Sequence, residues 1–138
     1  MSEQNNVAVS PILEGAERLL IALGYKLQTG DDWLLAFCEQ KVTVEIKNAC
    51  NVSAIPKGLT EIAIQAVAGE FLFAVKNAGR LTGFNLNLDF ALKTLQEGDT
   101  TTTFAVERSL TPEQRLDALI NGLLMGRKQY VSYRCLKW

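Results

Sequence analysis

The chain has 138 residues, 48% of them hydrophobic, with 14 basic against 15 acidic side chains and a net charge of -1. That length suits one domain, residues 1–138, able to bury a core without disulfide or metal support, and the balanced charge disfavours a generic nucleic-acid binder. No histidine is present, which removes the commonest general acid-base group and the commonest zinc ligand together.

Residues 1–9 read as a flexible arm. Met1 to Asn6 is polar and lacks a basic, apolar leader, so the expectation is a chain without an export signal, made in cytoplasm. Ser10 and Pro11 form a cap and first turn for a helix running to about Leu23 and stopped by Gly24. Ile12, Ala16, Leu19, Leu20 and Leu23 recur at helical spacing, leaving Glu14, Glu17 and Arg18 on the other face. Thr29-Gly30-Asp31-Asp32 offers two N-caps for a second helix beginning near Trp33. Its apolar stripe is Leu34, Phe37, Cys38, Val42, Ile46, Ala49 and Cys50, although Val42 to Ile46 also alternates like a strand. Helix is the better reading, because alternation leaves Trp33 to Glu39 unexplained.

Asn51 to Ile55 is a short connection into the stretch around which the chain is organised, Pro56 to Gly79. Between Ile62 and Val75 only Gln65 and Glu70 are polar, and apolar residues fall on every side of a helical wheel, as expected of a buried central helix. Phe71, Leu72, Phe73 and Val75 supply its bulk; the run reads as too short to cross a bilayer. Beyond Gly79 come a loop from Arg80 to Asn87, a short helix from about Leu88 to Gln96, and Thr100 to Thr103 leading into Phe104-Ala105-Val106, whose composition favours extended structure. Thr111-Pro112-Glu113-Gln114 is a capping box with proline at the first helical position. Leu116, Leu119, Ile120, Leu123 and Leu124 give that last helix its core face, and Arg127 and Lys128 suit its C-terminal end. Tyr130 to Trp138 alternates and reads as an extended, aromatic tail. The expected fold is mainly α: a small bundle of about four to five helices with a long loop, an extended tail over 130–138, and short β pairing available between the two extended segments.

Chemistry is sparse in this pattern. Neither a phosphate-binding GxxxxGK[ST] nor a GxGxxG is present. Glu70 lies in the most apolar stretch, where a carboxylate is more often paired than catalytic, and Cys38, Cys50 and Cys135 form an odd set without CxxC spacing, read as reduced thiols. No catalytic residue, cofactor or metal ligand is assigned. Lys41, Lys47, Arg127 and Lys128 are diluted by nearby acids and read as solvated. Trp33 is expected to anchor the core, whereas Trp138 is expected to be covered by a partner or by the tail folding back. The candidate interface residues are Thr102, Phe104, Val106, Tyr130, Tyr133, Arg134, Leu136 and Trp138, which one compact monomer leaves unexplained.

Asp32-Trp33-Leu34-Leu35, Ile46-Lys47-Asn48, Gly69-Glu70-Phe71-Leu72, Leu81-Thr82-Gly83-Phe84, Leu95 to Thr100, Thr111 to Arg115 and Ser132 to Trp138 together resemble the head-to-tail connector family of tailed phages and prophages of Gram-positive bacteria. The likeness runs from about Asp31 onward and rests on the order and spacing of these stretches. It implies a small, mainly helical head-completion adaptor, present in the virion neck after assembly in the host cytoplasm. Such an adaptor forms a ring, commonly a dodecamer, below the portal protein and docks the next neck, stopper or tail-completion protein. Packaged DNA would pass through without sequence-specific binding; no membrane, cofactor or catalysis is implied. The alternative is a small helical DNA-binding subunit of the packaging machinery, using the helix from Thr111. Third is a small enzyme built on Glu70 or Cys38, which needs a second polar group beside either.

Overall fold

The computed structural model describes residues 10–80 and 111–134. These fold as α1 (Pro11–Ala22), α2 (Asp31–Cys50), a 3₁₀ turn (Lys57–Leu59), α3 (Thr60–Asn77), α4 (Pro112–Leu124) and a 3₁₀ helix (Met125–Tyr133). The chain is thus mainly α, with no strand among the described residues. The expected arm over 1–9, most of the expected loop from Arg80, the helix expected from Leu88 to Gln96, the extended segment expected at Thr102, Phe104 and Val106, and Leu136 and Trp138 lie outside them.

Local signals set several boundaries. Ser10 Oγ accepts from the Ile12 and Leu13 amides at 3.2 and 3.5 Å, with Pro11 opening α1. At α4 the box closes both ways: the Gln114 amide donates to Thr111 Oγ1 at 3.1 Å, and the Thr111 amide donates to Gln114 Oε1 at 2.9 Å. The second helix departs from expectation at its start. It begins at Asp31, behind Gly30 at φ +92°, with no side-chain cap; Asp31 and Asp32 occupy the first turn, where the helix dipole favours their charge. The stretch from Val42 to Ile46 is helical throughout. Pro56 precedes the 3₁₀ turn instead of sitting in an α turn, and Gly79, at φ +77°, lies two residues past the end of α3.

Lys57–Asn77 comprises 21 helical residues containing an 18-residue stretch of mean hydropathy 1.4, long and apolar enough to cross a membrane by length and composition alone. The expectation that the run is too short is therefore corrected; the added 3₁₀ turn supplies the length. Half of that stretch is buried within the protein, where α3 packs against α1, α2 and α4. The pairings fix the directions of travel. Asp31 meets Arg80 and Lys41 meets Glu70, so α2 and α3 run antiparallel. Lys76 pairs with Asp117, while Gly69 faces Leu123 and Leu124, so α4 is antiparallel to α3 as well. Ser10 donates to Glu39 at 3.3 Å, setting α1 against α2. Among the described residues the result is an up-down-up-down bundle with α3 touching each of the other three α-helices.

Gly69 is the close-approach point: a Cβ there would stand 3.0 Å from Leu123 Cβ and from Leu124. Around it Ala66, Val67, Phe71, Leu72 and Val75 of α3 meet Leu20, Leu35, Val42, Ile46, Leu116 and Leu119, all fully buried. Each large side chain so removed from water contributes about 1.5–3 kcal/mol. The Tyr25 ring stands edge-on to Phe71, centroids 5.3 Å apart.

Three assignments to the core are corrected. Trp33 is 71% exposed and Phe37 52% exposed, because α2 turns Leu35, Cys38, Val42, Ile46 and Cys50 inward. Phe73 is 49% exposed: one turn beyond both Gly69, which faces α4, and Glu70, which faces α2, it falls on the furrow between those helices. The tail is corrected too. Tyr130 to Tyr133 belong to a 3₁₀ helix, and among the described tail residues only Arg134, at φ -68° and ψ 129°, is extended.

Candidate interaction surface

On a helix, residues spaced by four and by seven share a face. Trp33, Phe37 and Val44 follow that rule on the outer side of α2, and all three are exposed. The Trp33 and Phe37 rings stack with centroids 5.6 Å apart and planes 11° off parallel, giving a rigid aromatic surface. Such surfaces, low in side-chain entropy and partly desolvated already, are what protein interfaces favour.

Beside this stripe Glu70, its side chain 12% exposed, holds two cations from different elements: Lys41 of α2 at 3.0 Å and Arg127 of the 3₁₀ helix at 3.5 Å. The Glu70 hydrogen bond and charge push the Lys41 ammonium above its ordinary value. Arg127 Nε also donates to the Leu124 carbonyl at 3.2 Å, satisfying one of the last carbonyls of α4. The expected solvated patch is thus partly internal pairing. The Cys38 thiol is pushed up to about 11 by burial and by the Glu70 charge, so it stays protonated at neutral pH.

Toward the C-terminal half of α2, Glu45, Asn48 and Ala49 face Arg127 and Tyr130 across a groove of about 490 Å³. The Cys50 thiol donates to the Tyr130 carbonyl at 3.2 Å, fastening the 3₁₀ helix to α2. Tyr130 is 5% exposed, and its hydroxyl has no partner; nor has Glu45 Oε1, equally shielded from water. Burial, then the Glu45 charge, pushes the Tyr130 phenol up to about 12.

At the opposite end of the bundle Asp31, 1% exposed, accepts from the Tyr25 hydroxyl at 2.8 Å, the Gln28 amide at 2.8 Å and Arg80 at 2.7 Å. Burial alone would raise its pKa; Arg80, the Gln28 amide and Tyr25 together hold it below the usual carboxylate range. This cluster ties the α1–α2 turn to the end of α3. It is a structural tie with every carboxylate oxygen occupied.

Of the interface residues expected from sequence, Tyr130 is in the core, Tyr133 lies over Gly58, where a Cβ would collide with its ring, and Arg134 is exposed. Thr102, Phe104, Val106, Leu136 and Trp138 lie outside the described residues. The stripe of Trp33 and Phe37 was missed, although its four-residue spacing was visible. Among the described residues no group of three or more His, Cys, Asp or Glu side chains is placed to share a metal ion. Compared with family models, curated proteins and solved structures, the chain has no significant match.

Proposed function

We propose that the chain is a structural connector: a head-completion adaptor that assembles as a ring below a phage portal and docks the next neck or tail protein. The observation that carries this reading is the stacked, solvent-facing pair Trp33 and Phe37 with Val44 on one helix, whose opposite face, Leu35, Cys38, Val42 and Ile46, already fills the core among the described residues. A contiguous exposed aromatic face marks an interaction surface more often than a catalytic one. The order and spacing of the stretches from about Asp31 to the C-terminus, which resemble the connector family, support the same reading. So does the helical bundle, a fold compatible with a small adaptor, though fold alone does not assign function.

The packaging-subunit alternative draws less support, because α4 offers Arg115 against Glu113 and Asp117, and a groove-binding helix needs denser positive charge. The test is absolute mass by light scattering, alone and with the cognate portal, for the native chain and for Trp33→Ser/Phe37→Ser. The native protein should form a ring or be recruited stoichiometrically to the portal, and the double variant should lose that while keeping its helical circular dichroism. A native chain that ignores the portal and shifts duplex DNA at physiological salt would overturn the connector in favour of the DNA-binding subunit.

A further inference from the structure

The groove between α2 and the C-terminal 3₁₀ helix holds an unusual combination. Glu45 Oε1 and the Tyr130 hydroxyl are both buried and unpartnered, in a groove that also presents the Asn48 amide and the apolar Ala49. Burying polar atoms without partners is unfavourable, so a group that donates to both oxygens would be stabilised there. Arg127 does not serve: its guanidinium is drawn to Glu70 and its Nε to the Leu124 carbonyl. Lys41 is likewise drawn to Glu70. The vacant acceptors therefore call for a further cation with several N–H donors and an apolar neighbour.

This chain carries such a group on its own surface. A 3₁₀ helix repeats every three residues, so Arg127, Tyr130 and Tyr133 form one ridge and Lys128 and Val131 another, continued by Arg134, the residue just past the helix end, whose amide still donates to the Val131 carbonyl. The first ridge faces the bundle through the buried Tyr130; all three members of the second are exposed. Val131 and Arg134 are about 6 Å apart along that ridge, at ~2.0 Å per residue. Glu45 and Ala49 are separated by the same ~6 Å along α2, at ~1.5 Å per residue. Glu45 and Ala49 of the groove, which Arg127 also lines while drawn to Glu70, thus match Arg134 and Val131 in charge and spacing.

We propose that the groove of one molecule receives the Val131 and Arg134 ridge of a second copy of this chain, with the Arg134 guanidinium on Glu45 and the Tyr130 hydroxyl and Val131 against Ala49. A planar guanidinium supplies the forked donors that a carboxylate and a neighbouring hydroxyl require. The contact deepens the ring-forming reading above and rests on it for the occupant, since self-association is what brings a second copy to the groove.

Charge exchange tests it. Sedimentation equilibrium of the full chain would be run on the native protein, Glu45→Arg, Arg134→Glu, the two combined, and Glu45→Gln, with circular dichroism to confirm that each variant is folded. Each charge reversal should weaken self-association by roughly tenfold or more, Glu45→Gln should weaken it by less, and the combined exchange should recover most of the loss. The native association should also weaken with added salt. Folded single variants that associate like the native chain, or a combined exchange no better than either single, would overturn the proposal. So would a native chain monomeric at every accessible concentration. That last result leaves the connector reading standing where the portal still recruits the chain; failure of recruitment removes the connector reading itself.

Discussion

Asp31→Asn is the substitution whose consequence can be worked furthest from the structure. Asp31 is buried and accepts three hydrogen bonds, from Tyr25, the Gln28 amide and Arg80. Asparagine keeps the size but cancels the charge opposite Arg80 and offers one carbonyl oxygen where two carboxylate oxygens were used. Breaking a buried ion pair by neutralising one partner costs about 3–5 kcal/mol; Arg80 is only partly buried, so solvent screening brings the expected loss to about 2–3 kcal/mol. For 138 residues, an unfolding entropy near 2.1 cal/mol/K per residue makes that a fall in Tm of about 7–10 °C. The pH dependence separates charge from shape. The folded carboxyl titrates below its unfolded value, so its stabilisation is fully present above the unfolded pKa of about 4 and is lost as pH falls through the folded one. Urea unfolding followed by far-ultraviolet circular dichroism should show the native and Asp31→Asn stabilities converging below about pH 4. A variant within about 0.5 kcal/mol of native at pH 7, the size of an ordinary surface change, or a gap independent of pH, would refute the assignment.

Phe71→Ala should cost about 3–5 kcal/mol, whereas Phe73→Ala, half exposed, should cost less than about 2 kcal/mol by the area it buries; paired urea titrations compare them directly. Gly69→Val should lower stability by about 1–3 kcal/mol, because its branched side chain meets Leu123 and Leu124 where even a Cβ stands at 3.0 Å; an unchanged Tm would mean α3 and α4 are further apart. Cys38, with its thiol pushed up to about 11, should resist iodoacetamide at pH 8 in the folded chain and react on denaturation. Peptide mass mapping of the site-resolved adduct reads the outcome.

Local signals carried much of the fold. Ser10 with Pro11, and Thr111 with Gln114, mark helix starts because a cap is a contact between near neighbours. Choosing which face of α2 turns inward is different. That helix bears two apolar stripes, Leu35, Cys38, Val42 and Ile46 on one side and Trp33, Phe37 and Val44 on the other, and periodicity does not rank them. The choice is made by where α1 and α3 stand. Tyr130 to Tyr133 misled for a related reason: in so short a segment alternation and a three-residue repeat share too few positions to be told apart, and the burial of Tyr130 beneath the Cys50 thiol settles it. The cations on Glu70, from positions 41 and 127, and the pairing of Asp31 with Arg80 span distances in sequence that no local pattern reports. On the interaction surface, the four-residue spacing of Trp33 and Phe37 was legible; their exposure was not.

The order of the helices along the chain also bears on how the bundle is assembled. α1, α2 and α3 follow one another closely, so their mutual contacts close small loops, whereas α4 reaches α3 only after the chain has travelled from Asn77 to Pro112. Loop-closure entropy favours closing the shorter loops first, and we expect α4 to dock last. The final unit is fastened by Lys76 to Asp117, by the Gly69 seat and by Cys50 to the Tyr130 carbonyl. Native-state hydrogen exchange should therefore find the amides of α4 and the 3₁₀ helix opening together at lower free energy than those of α3, with uniform protection as the contrary result. The groove walled by Tyr130 and Glu45 needs the 3₁₀ helix in place, so in that order of assembly its surface is finished only by the last step of folding.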